Sequence, residues 1–209
     1  AFLLLDEIQI VEKWEETINS LRLDKRFDIV ITGSNANLLA SELATRLSGR
    51  YVQHMLLPFS LAEAREMIPG LTLNDYIRFG GFPGVLQLDT EHKKLTQLAD
   101  LADSILFKDI MLRGNVANPI VLRNLSSFLF DTVGNRSSVR KITNTLNSLY
   151  GDKTRQETIA KYISFLEEAF LLYPVQRYDI RGKAILGREP KYYSVDPGIR
   201  TVLTATDSK

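Results

Sequence analysis

The residues best suited to chemistry sit at the ends of two short apolar runs. Phe2-Leu-Leu-Leu5 is followed at once by Asp6 and Glu7. A strand ending in adjacent carboxylates suits a nucleoside triphosphatase, which must handle magnesium and water together. Asp6 can hold the hydrated ion through its water, because Mg²⁺ keeps several waters and takes one or two carboxylates. Glu7 can then polarise the attacking water. Two acids also end many strands that catalyse nothing, so the pair needs support from elsewhere. The second run closes as Ile31-Thr-Gly-Ser-Asn35. If both runs are parallel strands, Ser34 and Asn35 share an edge with Asp6 and Glu7, because ligands bind outside the carboxyl ends of such strands. The same two residues serve equally well as helix N-caps. Farther on, Leu43-Ala-Thr-Arg-Leu-Ser-Gly-Arg50 supplies Arg46 and Arg50. Arginine there can neutralise charge on a transferred phosphoryl group, in cis or from a neighbouring subunit. Arg46 reads better as a solvated surface residue, while for Arg50 both roles stay open.

The elements that must position these groups follow an α/β pattern. Phe2–Leu5 reads as a buried parallel strand. Val11, Trp14, Ile18 and Leu21 then recur at helical spacing. Asp28–Thr32 reads as a second strand, Leu38, Leu39, Leu43 and Leu47 mark a helix, and Arg50–Leu57 a third strand. Beyond Pro58 the pattern is helical. Ser60 with Glu63 forms a capping box, Gly80-Gly-Phe-Pro-Gly84 breaks regular structure, and a long helix is expected from Glu91 to Leu112. Gly114-Asn115 and Asn118-Pro119 stop and restart the chain. Three more helices follow, the second capped by Ser137 or Ser138 and the third by a Thr154–Glu157 capping box. Two strands, Leu171–Tyr178 and Lys191–Val195, flank a polar loop from Asp179 to Pro190. Three helices and a β-hairpin are the element order of a winged helix. The expected division is therefore a partial parallel-sheet core over 1–59, a helical linker or lid over 60–117 and a winged helix over 118–209.

Composition closes off other chemistries. The 209 residues contain no cysteine, which excludes a disulfide framework, a zinc knuckle and a thiol nucleophile. His54 and His92 are too few and too far apart for a histidine metal site. No apolar run approaches the roughly 20 residues of a membrane helix, and no signal-peptide pattern is present, so a cytoplasmic protein is the default expectation. A central strand seldom opens a natural chain, and the start at Ala1 suggests the downstream piece of a longer protein.

The net charge of +1 averages two unlike halves. Residues 1–107 carry 10 Lys+Arg against 15 Asp+Glu, and residues 108–209 carry 16 against 10. In the basic half, Arg155, Gln156, Thr158 and Lys161 fall on the helix face opposite Ile159, Tyr162, Ile163 and Leu166, as on a recognition helix. Arg181, Lys183 and Arg188 in the loop suit a phosphate backbone. DNA is one expected partner; a protein-protein module or a lid for the ATPase is the other. Phe128, Phe130, Tyr162, Phe165 and Phe170 recur at helical spacing and read as core. Of Tyr192 and Tyr193, one should face the core and the other solvent.

Together these motifs resemble the prokaryotic AAA-type P-loop ATPases in which the ATPase domain precedes a domain of unknown function containing a winged helix. The resembling strings are Leu3-Leu-Leu-Asp-Glu-Ile-Gln9 with Trp14, Ile31-Thr-Gly-Ser34, Leu47-Ser-Gly-Arg50 and Leu57-Pro-Phe-Ser60. Gly80-Gly-Phe-Pro83, Phe107-Lys-Asp109, Tyr162–Leu171 and Tyr192-Tyr-Ser-Val-Asp-Pro-Gly198 continue the likeness over nearly the whole chain. The resemblance implies a Walker B pair at Asp6 and Glu7, a sensor-1 position at Ser34 and Asn35, and an arginine finger at Arg50. It also implies ATP and Mg²⁺ as cofactors of the longer protein. Separately, a sheet edge left open by missing strands would expose unpaired backbone groups that can drive a homo-oligomer through the ATPase part. The family's Gly-x-x-x-x-Gly-Lys-Ser/Thr loop is missing from these residues. Without its amides and lysine the phosphates have no cradle, so these 209 residues alone are expected neither to bind nor to hydrolyse ATP. A non-enzymatic winged-helix DNA-binding protein or protein-interaction adaptor is the alternative from a different class.

Overall fold

The computed structural model describes residues 1–8, 11–23, 26–33, 50–112, 114, 116–151, 153–176 and 189–205, without the side chains of 107–109, 112 and 205. The chain divides into two compact units, Ala1–Leu56 and Leu57–Lys209.

In the first unit, β1 (Phe2–Leu5) and β2 (Asp28–Ile31) pair in parallel, with Leu5 opposite Ile31, and α1 (Trp14–Leu23) connects them. Burial alternates along both strands because successive side chains point to opposite faces. Leu5, Ile29 and Ile31 pack on Ile8, Trp14 and Ile18. The other face is open: Phe2 is 77% and Leu4 72% exposed, and Val30 is exposed as well. The expectation of a strand buried on both faces is therefore corrected. The apolar run fits a two-sided strand, but among the described residues one helix packs on one side only.

The expected strand at Arg50–Leu57 is not formed. Its backbone is irregular and its side chains are exposed, Leu56 to 93%. A strand exists through hydrogen bonds to a neighbour, and among the described residues nothing pairs with this segment. The helix expected around Leu38–Leu47 lies outside the described residues.

The second unit is mainly helical. Its elements are α2 (Leu61–Met67), α3 (Leu73–Phe79), α4 (Pro83–Leu86), α5 (Glu91–Ser104), a π-helix (Ile105–Leu112), α6 (Pro119–Asp131), α7 (Val139–Tyr150), α8 (Gln156–Glu168), β3 (Leu172–Val175), β4 (Lys191–Ser194) and α9 (Pro197–Ala205). Ser60 caps α2 in the expected box, with Glu63 returning a bond to the Ser60 amide at 2.8 Å. Ser138 caps α7 through the Lys141 amide. Thr154 does not cap α8. Asn147 holds both its amide and its carbonyl, and the helix begins one residue later on Arg155, which makes no side-chain cap bond. Nor does the glycine cluster wholly break regular structure, since Pro83 opens the short α4 with the fixed φ a first helical position favours. The helix from Glu91 continues to Leu112, but its last eight residues widen to π geometry.

The core of this unit gathers Leu98, Leu122, Leu125, Leu129, Phe130, Ile142, Ile159, Leu166, Leu172 and Ile199. The C-terminal α9 packs on α3, α5 and α6. β3 and β4 pair antiparallel, with Tyr173 opposite Tyr193 and Val175 opposite Lys191.

Candidate functional site

The carboxylate pair lies at the carboxyl end of β1, beside the residue that leaves β2. Thr32 donates its amide to the Leu5 carbonyl at 2.9 Å, which extends the parallel ladder by one step and sets its side chain next to Asp6. The Thr32 hydroxyl donates to the Asp6 carboxylate and accepts from the Glu7 amide. Glu7 has φ +48, the left-handed region a residue with a Cβ seldom occupies. The strand thus ends in an abrupt turn at the second carboxylate. Asp6 is exposed and Glu7 half-buried. Thr32 was the group sequence reasoning passed over, although its place one residue past the end of β2 is the signal that finds it.

Asp6, Glu7 and Thr32 offer oxygen donors only, the class a hydrated Mg²⁺ accepts. Among the described residues no group of three His, Cys, Asp or Glu could hold a metal ion. Ser34, Asn35 and Arg46 lie outside the described residues. Arg50 is exposed.

In the second unit Arg155, Gln156 and Lys161 are exposed on α8 and Thr158 is half-buried, while Ile159, Tyr162, Ile163 and Leu166 are buried. The Lys161 ammonium lies 5.4 Å from the centre of the Phe165 ring. Arg181, Lys183 and Arg188 lie outside the described residues. The aromatic residues follow expectation in part: Phe130 and Tyr162 are fully buried, and Phe128, Phe165 and Phe170 partly.

A second polar centre had no counterpart among the expected sites. Asp196 is 3% exposed. Its carboxylate accepts from the Gly81 amide at 2.7 Å and the Ile199 amide at 3.0 Å, and also from Gly198. Burial pushes its pKa up, and those three amides pull against that rise. The glycines around it leave no room for a side chain. A Cβ at Gly80, where φ is +73, would stand 2.1 Å from an Asp196 oxygen; at Gly81 it would stand 2.0 Å from the Phe59 carbonyl oxygen. Phe59 is held in turn by its amide on the Gly81 carbonyl and its carbonyl on the Tyr76 hydroxyl. The Gly80-Gly81 and Asp196-Pro-Gly198 strings therefore form one packed, hydrogen-bonded joint. Nothing about it shows a ligand.

Among the described residues no helix is long and apolar enough to cross a membrane.

Residues 71–209 match the family described as Domain of unknown function (DUF8612), and residues 1–65 match the AAA domain. An uncharacterized protein of Haemophilus influenzae is 44% identical over 207 residues, covering 95% of this chain and 51% of its own length. An uncharacterized protein of Methanocaldococcus jannaschii is 30% identical over 211 residues, covering 93% of this chain and 46% of its own. The chain thus spans about half the length of the curated relatives it matches. With most of its residues inside the first match, the chain belongs to the DUF8612 family, and its opening strands relate it to AAA-type ATPases.

Proposed function

We propose that residues 1–59 are the Walker B part of an ATPase core, that 60–117 are a helical lid or linker, and that 118–209 are a winged helix with a regulatory or DNA-linked role in ATP turnover. The observation that carries the ATPase reading is the placement of Asp6, Glu7 and Thr32 together at the carboxyl ends of two parallel strands. Asp6 is the group that would hold a hydrated Mg²⁺, its second oxygen kept in place by the Thr32 hydroxyl. A bound Mg²⁺ would neutralise charge on the transferred phosphoryl group. Glu7 is offset from Asp6 by the left-handed turn and is the base that would orient water. The phosphate cradle is missing from these residues and would come from the rest of a longer protein. In that longer protein, Glu7→Gln should keep nucleotide bound and lose turnover, measured by phosphate release; unchanged turnover removes Glu7 from the role.

The winged-helix reading is supported by a third, minimal strand. Arg136 bridges Lys191 antiparallel, the Gly134 amide bonds the Tyr192 carbonyl and the Ser137 amide the Pro190 carbonyl. Counting that bridge, the chain order is α6, Arg136 bridge, α7, α8, β3, β4, the element order of a winged helix, in which α8 would take the recognition position with Arg155, Gln156 and Lys161 exposed. Fluorescence anisotropy with duplex DNA tests this. Affinity should fall steeply with salt as phosphate contacts release counterions, and Lys161→Ser should weaken it.

A further inference from the structure

The outer face of the C-terminal sheet carries a group of side chains that neither the ATPase role nor the recognition helix uses. Directly opposite residues of an antiparallel pair share a face. Tyr173 and Tyr193 are opposite each other, Val175 is opposite Lys191, and Arg136 is opposite Lys191 on the other side. Burial agrees with this register: Leu172 and Tyr192 point inward, whereas Tyr173 is 59% and Tyr193 39% exposed. Beside Tyr193, where a third residue of the row would stand, is Gly134, whose absent Cβ would lie 3.6 Å from the Tyr193 ring. One row of the face is therefore two adjacent phenol rings bordered by a glycine, and the next is two cations and a valine.

Exposed rings set side by side make a flat, partly apolar surface of the kind that marks interaction sites. The two cations say what fits: a ligand with planar apolar faces joined by negative charge. We propose that this face binds single-stranded nucleic acid, its bases stacking on Tyr173 and Tyr193 and its phosphates pairing with Arg136 and Lys191. A duplex hides its base faces, so it cannot use the tyrosines. An unpaired strand exposes them, and every base has such a face, so the binding is tolerant of sequence. The proposal shares a ligand class with the winged-helix reading but uses a different surface from α8, so either can fail alone.

The test is anisotropy of a labelled oligo(dT) and of a labelled duplex on the whole 209-residue chain. Tyr173→Ala and Tyr193→Ala should each weaken oligo(dT) about tenfold, the loss of one stacked base. Tyr173→Phe and Tyr193→Phe should bind as the unaltered chain does, since phenylalanine keeps the ring. Changing Arg136 and Lys191 together to serine should flatten the log–log salt slope by about 1.4, or ~0.7 for each phosphate released. Glu189, exposed and two residues before Lys191, is the acid nearest to it in sequence, and Glu189→Gln should tighten binding. The two alanine variants should leave duplex affinity unchanged, because a duplex hides its base faces from the rings. The proposal is overturned if the chain does not bind oligo(dT), if the alanine variants bind it undiminished, or if the phenylalanine variants lose as much as the alanines. Far-UV circular dichroism of each variant confirms that the sheet is intact, and the phenylalanine pair keeps the comparison valid should an alanine variant unfold.

Discussion

Asp196→Ala tests how the second unit is held together. The carboxylate is almost wholly buried and bonds amides from two places, Gly81 before α4 and Ile199 in the first turn of α9. Losing an acceptor at a helix start costs about 1 kcal/mol. Leaving the buried Gly81 amide without its partner costs about 1–3 kcal/mol more. Alanine also removes the penalty of burying a charge, which offsets part of the sum. The two costs together reach about 2–4 kcal/mol, and the offset brings the expected loss to about 1–3 kcal/mol, still a sizeable share of the roughly 5–15 kcal/mol that a domain has in all. Urea unfolding followed by circular dichroism measures it. A loss under about 1 kcal/mol would refute the claim that this carboxylate joins the two strings. Asp196→Asn adds a pH arm. Burial, the largest influence, raises the folded-state pKa above the ordinary 3.8 in spite of the amides from Gly81, Ile199 and Gly198. The folded chain therefore binds the proton more tightly than the unfolded chain. The group's contribution is full below pH 3.8 and is lost as pH rises through the folded-state value. The stability difference between the native protein and Asp196→Asn should shrink from about pH 4 toward neutrality, by about 1.4 kcal/mol for each tenfold by which folding tightens the proton. A difference that grows with pH reverses the sign and the argument.

Two further substitutions test neighbouring contacts. Gly81→Ala must displace the Phe59 backbone, which its Cβ would meet at 2.0 Å; a midpoint drop of several degrees or more is expected by calorimetry, and an unchanged midpoint would show the joint to be loose. Tyr162→Phe removes the hydroxyl that accepts from the Asn118 amide at 3.1 Å at the start of α6, for a loss of about 1 kcal/mol in the same urea assay.

Much of this fold is legible in short windows of sequence. The helical spacing of Trp14 and Ile18, the Ser60–Glu63 box and the buried stripe of α8 each depend on residues within one or two turns. So does the inward and outward pair Tyr192 and Tyr193. The parts that were not legible depend on partners far along the chain. Whether Phe2–Leu5 is covered on one face or two depends on what packs against it, and whether Arg50–Leu57 becomes a strand depends on a neighbour to pair with. Asp196 carries no local signal of its role, because the Gly81 amide that explains it is 115 residues away. Thr32 is hidden by the opposite problem: threonine at a strand end is ordinary until the parallel register sets it beside Asp6.

That span of 115 residues between Gly81 and Asp196 has a kinetic consequence. α9 packs on α3, α5 and α6, so helices made early in synthesis wait for a segment made late. Contacts of long sequence separation close slowly, because the loop must be ordered before they form. On the ribosome, the Gly80-Gly81 loop stays without its carboxylate until the residues around Asp196 have emerged. The second unit should consequently gain its final stability in one late step, and a ribosome stalled short of Asp196 should carry a chain whose helices are present and whose protease resistance is not.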